Sequence, residues 1–332
     1  MTGHPQAARW LLRPAAALAA AGLASAAYQA AGEARDRRRY PPPGTMAGGA
    51  GRRLHFIDLG AGSPAVVLIP GIGGNALDLL ALCRELSADL RAVAWDRAGY
   101  GWSDPPGPGR RGYDDMAREL RAGLLAAGIR PPWVLAGHSA GGIIARRAAA
   151  LYPGEVAGLA LIDSSHEEQA RRLRAGGAWR NPPAANARAA LRVATWNLGL
   201  RRLMSRAGCQ AASGPAAGDV PPDMVPAALA AGLTARHRRA LVRELLLMTR
   251  SHGDPPGLGS LPVTVLSAAG QDPEWDAMQA DLAALSTAST HITAGHGGHA
   301  LHRDNPGLAA AAIRDLVARA RAAALAPERQ LR

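Results

Sequence analysis

The chain contains no lysine, one phenylalanine and only two cysteines in 332 residues. Each shortage closes a route. Without lysine there is no Gly-Lys-Ser/Thr sequence, so a phosphate-cradling loop of that kind is excluded. Two cysteines so far apart, Cys83 and Cys209, make no disulfide framework. Cys83 lies in the apolar helical pattern NALDLLALCREL and reads as buried packing, whereas Cys209 lies in a loop-like stretch. There is no zinc-finger spacing, no RNA-binding signature and no internal repeat. Aromatics make up only 4%, but 48% of residues are hydrophobic, enough for a sizeable core. The length suits one large α/β domain with an insertion, or two ordinary domains.

All 38 basic residues are arginine, which looks like coding bias. The net charge of +12 raises nucleic acid as a partner, but the excess is local. Residues 1–51 carry six Arg against two acids, and residues 164–260 carry fourteen against six. The remainder is balanced. No nucleic-acid partner is expected.

Residues 15–31, AAALAAAGLASAAYQAA, hold no charge. Arg9 and Arg13 precede them and RDRRR (35–39) follows. As a membrane anchor, the leading expectation, the run is short against the roughly 20 residues a spanning helix needs. The Arg cluster would hold its end on the cytoplasmic side. As a cleaved signal peptide, Ala24-Ser25-Ala26 is the processing site. A plain surface helix is the third reading, because alanine is the best helix former. Residues 40–51, YPPPGTMAGGAG, read as a linker.

From Arg52 the pattern alternates. LHFIDLG, AVVLIP, RAVAWD, WVLAGH and GLALID read as strands, with helices expected over 76–88, 114–128 and 140–151. Apolar runs without alternation suit strands buried on both faces of a parallel sheet. Residues 164–260 break the rhythm with Arg-rich helical stretches and Pro/Gly breaks. PVTVLSA and THITAG then resume it, with helices at 275–285 and 306–325. The expected organisation is an α/β core over 52–163 and 261–325, with a mainly parallel sheet flanked by helices. A helical lid, 164–260, is inserted in that core after the sixth strand.

The sharpest signal is Gly137-His138-Ser139-Ala140-Gly141-Gly142 between a strand and a helix. A nucleophile on such a turn needs strained backbone angles and small neighbours two residues to either side. The helix N-terminus then aims amides at a developing oxyanion. His138, adjacent on the turn, points away from the hydroxyl and reads as a brace. One oxyanion amide is assigned to Ala140, and the second to Ile72 in the loop Pro70-Gly71-Ile72-Gly73-Gly74.

The base must follow the last strand, where THITAGHGGHALHRDNP offers four histidines. His291 lies within the strand pattern. His299 sits on the loop past the strand and is preferred over His296, while His302 reads as packing or capping. Two residues fit the acid that holds the imidazole tautomer. Asp163 ends the clean buried strand GLALID and is favoured. Asp272, in AAGQDPEW, is the alternative.

These stretches together resemble the α/β-hydrolase superfamily. More narrowly, the chain resembles bacterial members that have an N-terminal hydrophobic segment followed by RRRYPPPG. The resemblance rests on RRLHFIDLGAGSPAVVL, PGIGGNALD, WDRAGYGWSD, GHSAGG, LALIDSSHEEQ and GGHALHRDNP, and covers about residues 35–316. It implies an α/β-hydrolase fold, Ser139 as nucleophile, His299 as base, and the Ile72 and Ala140 amides as oxyanion donors. The superfamily's commoner acid position corresponds to Asp272. The narrower group's IDSSH-like segment corresponds to Asp163. Two departures stand out: Pro70 replaces the histidine that often opens the oxyanion loop, and Ala300 replaces an aromatic after the base.

The expected activity is serine hydrolysis of an ester-type bond, with no metal or organic cofactor. The partner is a small-molecule ester or lipid-like substrate, with membrane association through residues 15–31 and the basic lid. The protein is then membrane-anchored or exported to the bacterial cell envelope, or cytoplasmic if the N-terminal segment is a surface helix. The rivals are a non-catalytic binding protein of the same fold, and an acyltransferase or carbon–carbon hydrolase using the same residues.

Overall fold

A computed structural model describes residues 5–49, 51–175, 199, 202–203 and 220–330. Cys209 and much of the 164–260 segment lie outside the described residues.

Eight strands form one sheet: β1 (Thr45–Gly49), β2 (Arg52–Leu59), β3 (Ala65–Ile69), β4 (Ala92–Asp96), β5 (Trp133–His138), β6 (Val156–Ile162), β7 (Val263–Ala268) and β8 (Ser289–Ala294). The spatial order is β1-β2-β4-β3-β5-β6-β7-β8. β1 pairs antiparallel with β2, and β2 antiparallel with β4; all other pairs are parallel. Every residue of β3, β4 and β7 is buried, as expected of strands covered on both faces. Successive side chains alternate between two cores. Val67, Ile69, Leu135 and Leu161 pack on one face; Val66, Leu68, Ala136 and Ile162 pack on the other. Helices Tyr113–Ala126 and Ala140–Leu151 cover the first face, and Leu80–Leu86 and Pro306–Gln330 the second.

Two expectations for the N-terminus are corrected. Residues 45–49, read as linker, are the edge strand β1, with Thr45 opposite Phe56 and Gly49 opposite Arg52. Residues 15–31 fall inside one helix, Pro5–Arg39. Among the described residues, no helix is long and apolar enough to cross a membrane. The physical reason is composition: the uncharged run is mostly alanine, and the same helix continues into Glu33, Asp36 and four arginines. Its C-terminal part packs on the body. Gln29 Nε2 donates to the Leu233 carbonyl (2.6 Å), Glu33 Oε1 accepts from the Ala235 amide (2.8 Å), and Trp102 Nε1 donates to the Tyr40 carbonyl (3.0 Å).

Between β6 and β7 the described residues hold the helices Gln169–Ala175, Val225–Gly232 and Ala235–Met248. The last begins at Thr234, whose hydroxyl accepts from the His237 amide, the usual N-cap arrangement.

Two buried histidines make stability pH-dependent. Burial pushes His237 and His302 down to about 4, so both rings are neutral in the folded protein. On unfolding they regain an ordinary value near 6.5 and take up protons below it. Their contribution is therefore full above pH 6.5, falls as pH drops from 6.5 to about 4, and levels off below. The slope is at most about 1.4 kcal/mol per pH unit for each ring. Urea unfolding midpoints should be lower at pH 5 than at pH 7.5; equal midpoints would contradict neutral burial.

Candidate active site

Parallel pairing sets Ile69 of β3 level with Gly137 of β5, and Gly137 level with Leu161 of β6. The loops that follow these strands therefore open side by side at one edge of the sheet. Two non-glycine residues with positive φ stand there, Ser139 (φ 53°) and Asp163 (φ 40°). Left-handed φ is costly for residues with a Cβ and persists where the surroundings enforce it. At Ser139 that enforcement is visible. Its amide donates to the Ile162 carbonyl (3.2 Å), and its carbonyl accepts from the amides of Ser165 (3.0 Å) and Gly142 (3.0 Å). The flanking glycines are sterically required. A Cβ on Gly137 would lie 2.5 Å from the Gly141 backbone, and one on Gly141 would lie 2.2 Å from the Ile69 carbonyl oxygen.

Asp163 is fully buried. Its Oδ2 accepts from His299 Nδ1 at 2.5 Å and from Gln271 Nε2 at 3.2 Å. Oδ1 accepts from the Ala268 amide (3.1 Å) and from Trp275 Nε1 (3.2 Å). Four donors thus compensate a carboxylate taken out of water. Nδ1 is thus committed to Asp163, which leaves Nε2 as the remaining ring nitrogen, and the side chain is 47% exposed. Asp272 is elsewhere engaged. It is the N-cap of the helix Pro273–Ala284, and its carboxylate accepts from the Glu274 amide at 2.9 Å.

The remaining histidines are placed as follows. His138 Nε2 donates to the His299 carbonyl at 2.8 Å, and its ring lies 4.8 Å from the His299 ring and 4.3 Å from that of buried His302. Burial, with His302 and His299 alongside, lowers its pKa well below the ordinary histidine value, so it braces as a neutral ring. His291 Nε2 is 2.9 Å from Ser267 Oγ on the sheet, and His296 is exposed on the loop.

Ser139 Oγ lies 3.5 Å from Ser165 Oγ. The amides of Ile72 and Ala140 have no acceptor among the described residues. Three contributors were not foreseen from the sequence. Ser165 approaches Ser139. Arg146, fully buried on the helix after it, holds Glu167, Ser164 Oγ and the Ser165 carbonyl (2.7–3.0 Å) and so fixes the Asp163 loop. Arg97 donates to the carbonyls of Pro70 (2.5 Å) and Gly71 (2.7 Å), anchoring the loop that lacks the bracing histidine. Only the WDRAGYG segment hinted at the last, with nothing to say where the guanidinium points. Among the described residues, no group of acidic, histidine or cysteine side chains could hold a metal ion.

The family model for the alpha/beta hydrolase fold matches residues 64–306. The putative carbamate hydrolase RutD of Klebsiella pneumoniae strain 342 is 35% identical over 127 residues, which is 35% of this chain and 47% of the relative. The chain thus spans less than half the length of the curated relatives it first matches. Among solved structures, a thermophilic esterase from Thermogutta terrifontis superposes with TM-score 0.57 at 21% identity, over 83% of this chain and 98% of that one. A membrane phospholipase A, described as a bacterial virulence factor, gives TM-score 0.59 at 22% identity, over 94% and 99%. At such identities the likeness is one of fold.

The two aspartates separate in one experiment. A proton held between His299 Nδ1 and Asp163 should give a far-downfield NMR resonance. Asp163→Asn should abolish it. Asp272→Ala should preserve it while costing about 1 kcal/mol of stability through the lost cap. A resonance that survives Asp163→Asn would contradict the geometry.

Proposed function

Since the chain belongs to the α/β-hydrolase fold family, we propose that it hydrolyses an ester-type bond of a small-molecule substrate through an acyl-enzyme on Ser139. The observation that carries this reading is the Asp163–His299 hydrogen bond of 2.5 Å, beside a serine held at φ 53° before a helix N-terminus.

The chemistry follows from the groups. His299 takes the Ser139 proton on Nε2 as the hydroxyl attacks the carbonyl, and Asp163 stabilises the imidazolium. The amides of Ile72 and Ala140 bind the oxyanion, the step at which a single donor is worth roughly 10²–10³ in rate. His299 then protonates the leaving alcohol. Water, activated by the same imidazole, releases the acid and restores the serine. The Ser139 hydroxyl lies 3.5 Å from that of Ser165; catalytic hydrogen bonds commonly tighten only when substrate binds. The reading assigns the segment 164–260 as a cap. Its support is Leu241, 3.4 Å from where a Gly73 Cβ would stand, and Glu244, bonded to Arg97 beneath the Ile72 loop.

A fluorophosphonate probe should label the wild type and not Ser139→Ala. A p-nitrophenyl ester series from acetate to palmitate should then give a chain-length optimum, with Asp163→Asn lowering kcat by roughly 10³–10⁴. Well-folded wild type that neither labels nor turns over any ester would favour a binding protein on the same fold.

A further inference from the structure

Arg97 is the largest buried charge beneath the loop that carries the Ile72 amide. It is 1% exposed and uses its two edges for different partners. One edge donates to the backbone of the loop, to the Pro70 carbonyl (2.5 Å, Nη1) and the Gly71 carbonyl (2.7 Å, Nη2). The other donates to Glu244, from Nε (3.1 Å) and Nη2 (2.9 Å). Glu244 stands 147 residues away, on the helix Ala235–Met248 between β6 and β7. Tyr100 ties the same two parts: its hydroxyl donates to Glu244 Oε2 (3.0 Å) and contacts the Gly73 backbone. Arg111 Nη1 lies 3.5 Å from the other carboxylate oxygen.

A buried guanidinium needs a counter-charge, and its planar fork makes that demand directional. Burial alone disfavours the charge on Arg97. Glu244 overrides burial and raises its pKa above the ordinary arginine value. Backbone carbonyls carry no net charge, so Pro70 and Gly71 could not hold the guanidinium alone. The carboxylate of the helix therefore fixes the plane of the group that fixes the loop.

We propose that Arg97 and Glu244 form a positioning strut that makes the register of the oxyanion loop depend on the seating of the helix Ala235–Met248. Neither residue touches the reacting atoms; both act through the Pro70–Gly74 backbone. The inference rests on the reading of Ile72 as an oxyanion donor. It adds that a segment inserted between two strands, and not the sheet alone, assembles that donor. A loop displaced by about 1 Å is enough to cost on the order of 10²-fold in rate.

The test compares wild type with Glu244→Gln, which keeps shape and removes charge, and with Arg243→Ala, an exposed neighbour on the same helix, as control. Two readouts are taken: kcat and KM on a p-nitrophenyl ester, and amide hydrogen exchange of the 70–79 peptide. Glu244→Gln should lower kcat ten- to a hundredfold, leave KM within about threefold, and speed exchange of the loop. Affinity for a boronic acid, which forms a tetrahedral adduct on the serine, should fall in step with kcat. Arg243→Ala should change none of these. Wild-type exchange in Glu244→Gln overturns the strut, and so does faster exchange with unchanged kcat. A KM rise with unaltered kcat assigns the helix to substrate binding and also overturns it. If Glu244→Gln does not fold, Glu244→Asp, which keeps the charge but retracts it by one methylene, is judged by the same criteria. Wild-type turnover that survives Ser139→Ala marks failure of the nucleophile reading instead. The exchange measurement then decides the strut alone.

Discussion

The site depends on one constraint, the parallel register of β3, β5 and β6. Ile69, Gly137 and Leu161 stand level, so the three loops that follow leave the sheet at the same height. Backbone hydrogen bonds then lock one loop to the next: Ser139 to Ile162, Ser165 to Ser139, and Asp163 to Leu266 on β7. A slip of one residue along a strand is about 3.3 Å and exchanges its two faces. Either change would separate Ser139 from Asp163 and expose residues now in the two cores.

On this frame the polar groups divide by how their burial is compensated. Asp163 is surrounded by four neutral or imidazole donors and holds one ring in one orientation. Arg97 and Arg146 are the positive counterparts. Each is fully buried, each has a carboxylate partner, and each also donates to loop backbone, Arg97 to Pro70 and Gly71 and Arg146 to Ser165. The arginines thus act as internal scaffolding for segments with little apolar surface of their own. A chain without lysine suits this use, because the guanidinium offers several fixed directions where an ammonium offers a point charge.

Much of this was legible in the sequence because the signals were local. AVVLI reads as a buried strand since every side chain is apolar, AVAWD is apolar up to its final Asp96, and the small residues around Ser139 announced a crowded turn. His299 followed from its place after the last strand. Asp163 was favoured over Asp272 as the partner of His299, but both remained candidates because both follow strands that open on the same edge. The difference lay in neighbours: Asp272 is followed by Pro273 and Glu274, the composition of a helix start, and capping is what it does. The edge strand β1 was hidden, since TMAGG has little strand preference and owes its form to pairing with β2. The 15–31 run misled for a related reason. Absence of charge was visible, but alanine supplies helix propensity with too little hydropathy to cross a bilayer. Links such as Arg97 to Glu244 join residues 147 apart and leave no periodic trace.

The N-terminal helix has a consequence for the order in which the chain is made. Its residues Gln29 and Glu33 complete the ends of two helices near Leu233 and Ala235, more than 200 positions downstream. At ribosomal speeds of roughly 5–20 residues per second, these partners emerge some tens of seconds apart. For that interval Gln29 and Glu33 lack these partners, and the helix that carries Glu244 follows directly after them. The clasp between residues 29–33 and 233–235 can close only once six of the eight strands have been made, which places a long-range contact late in folding.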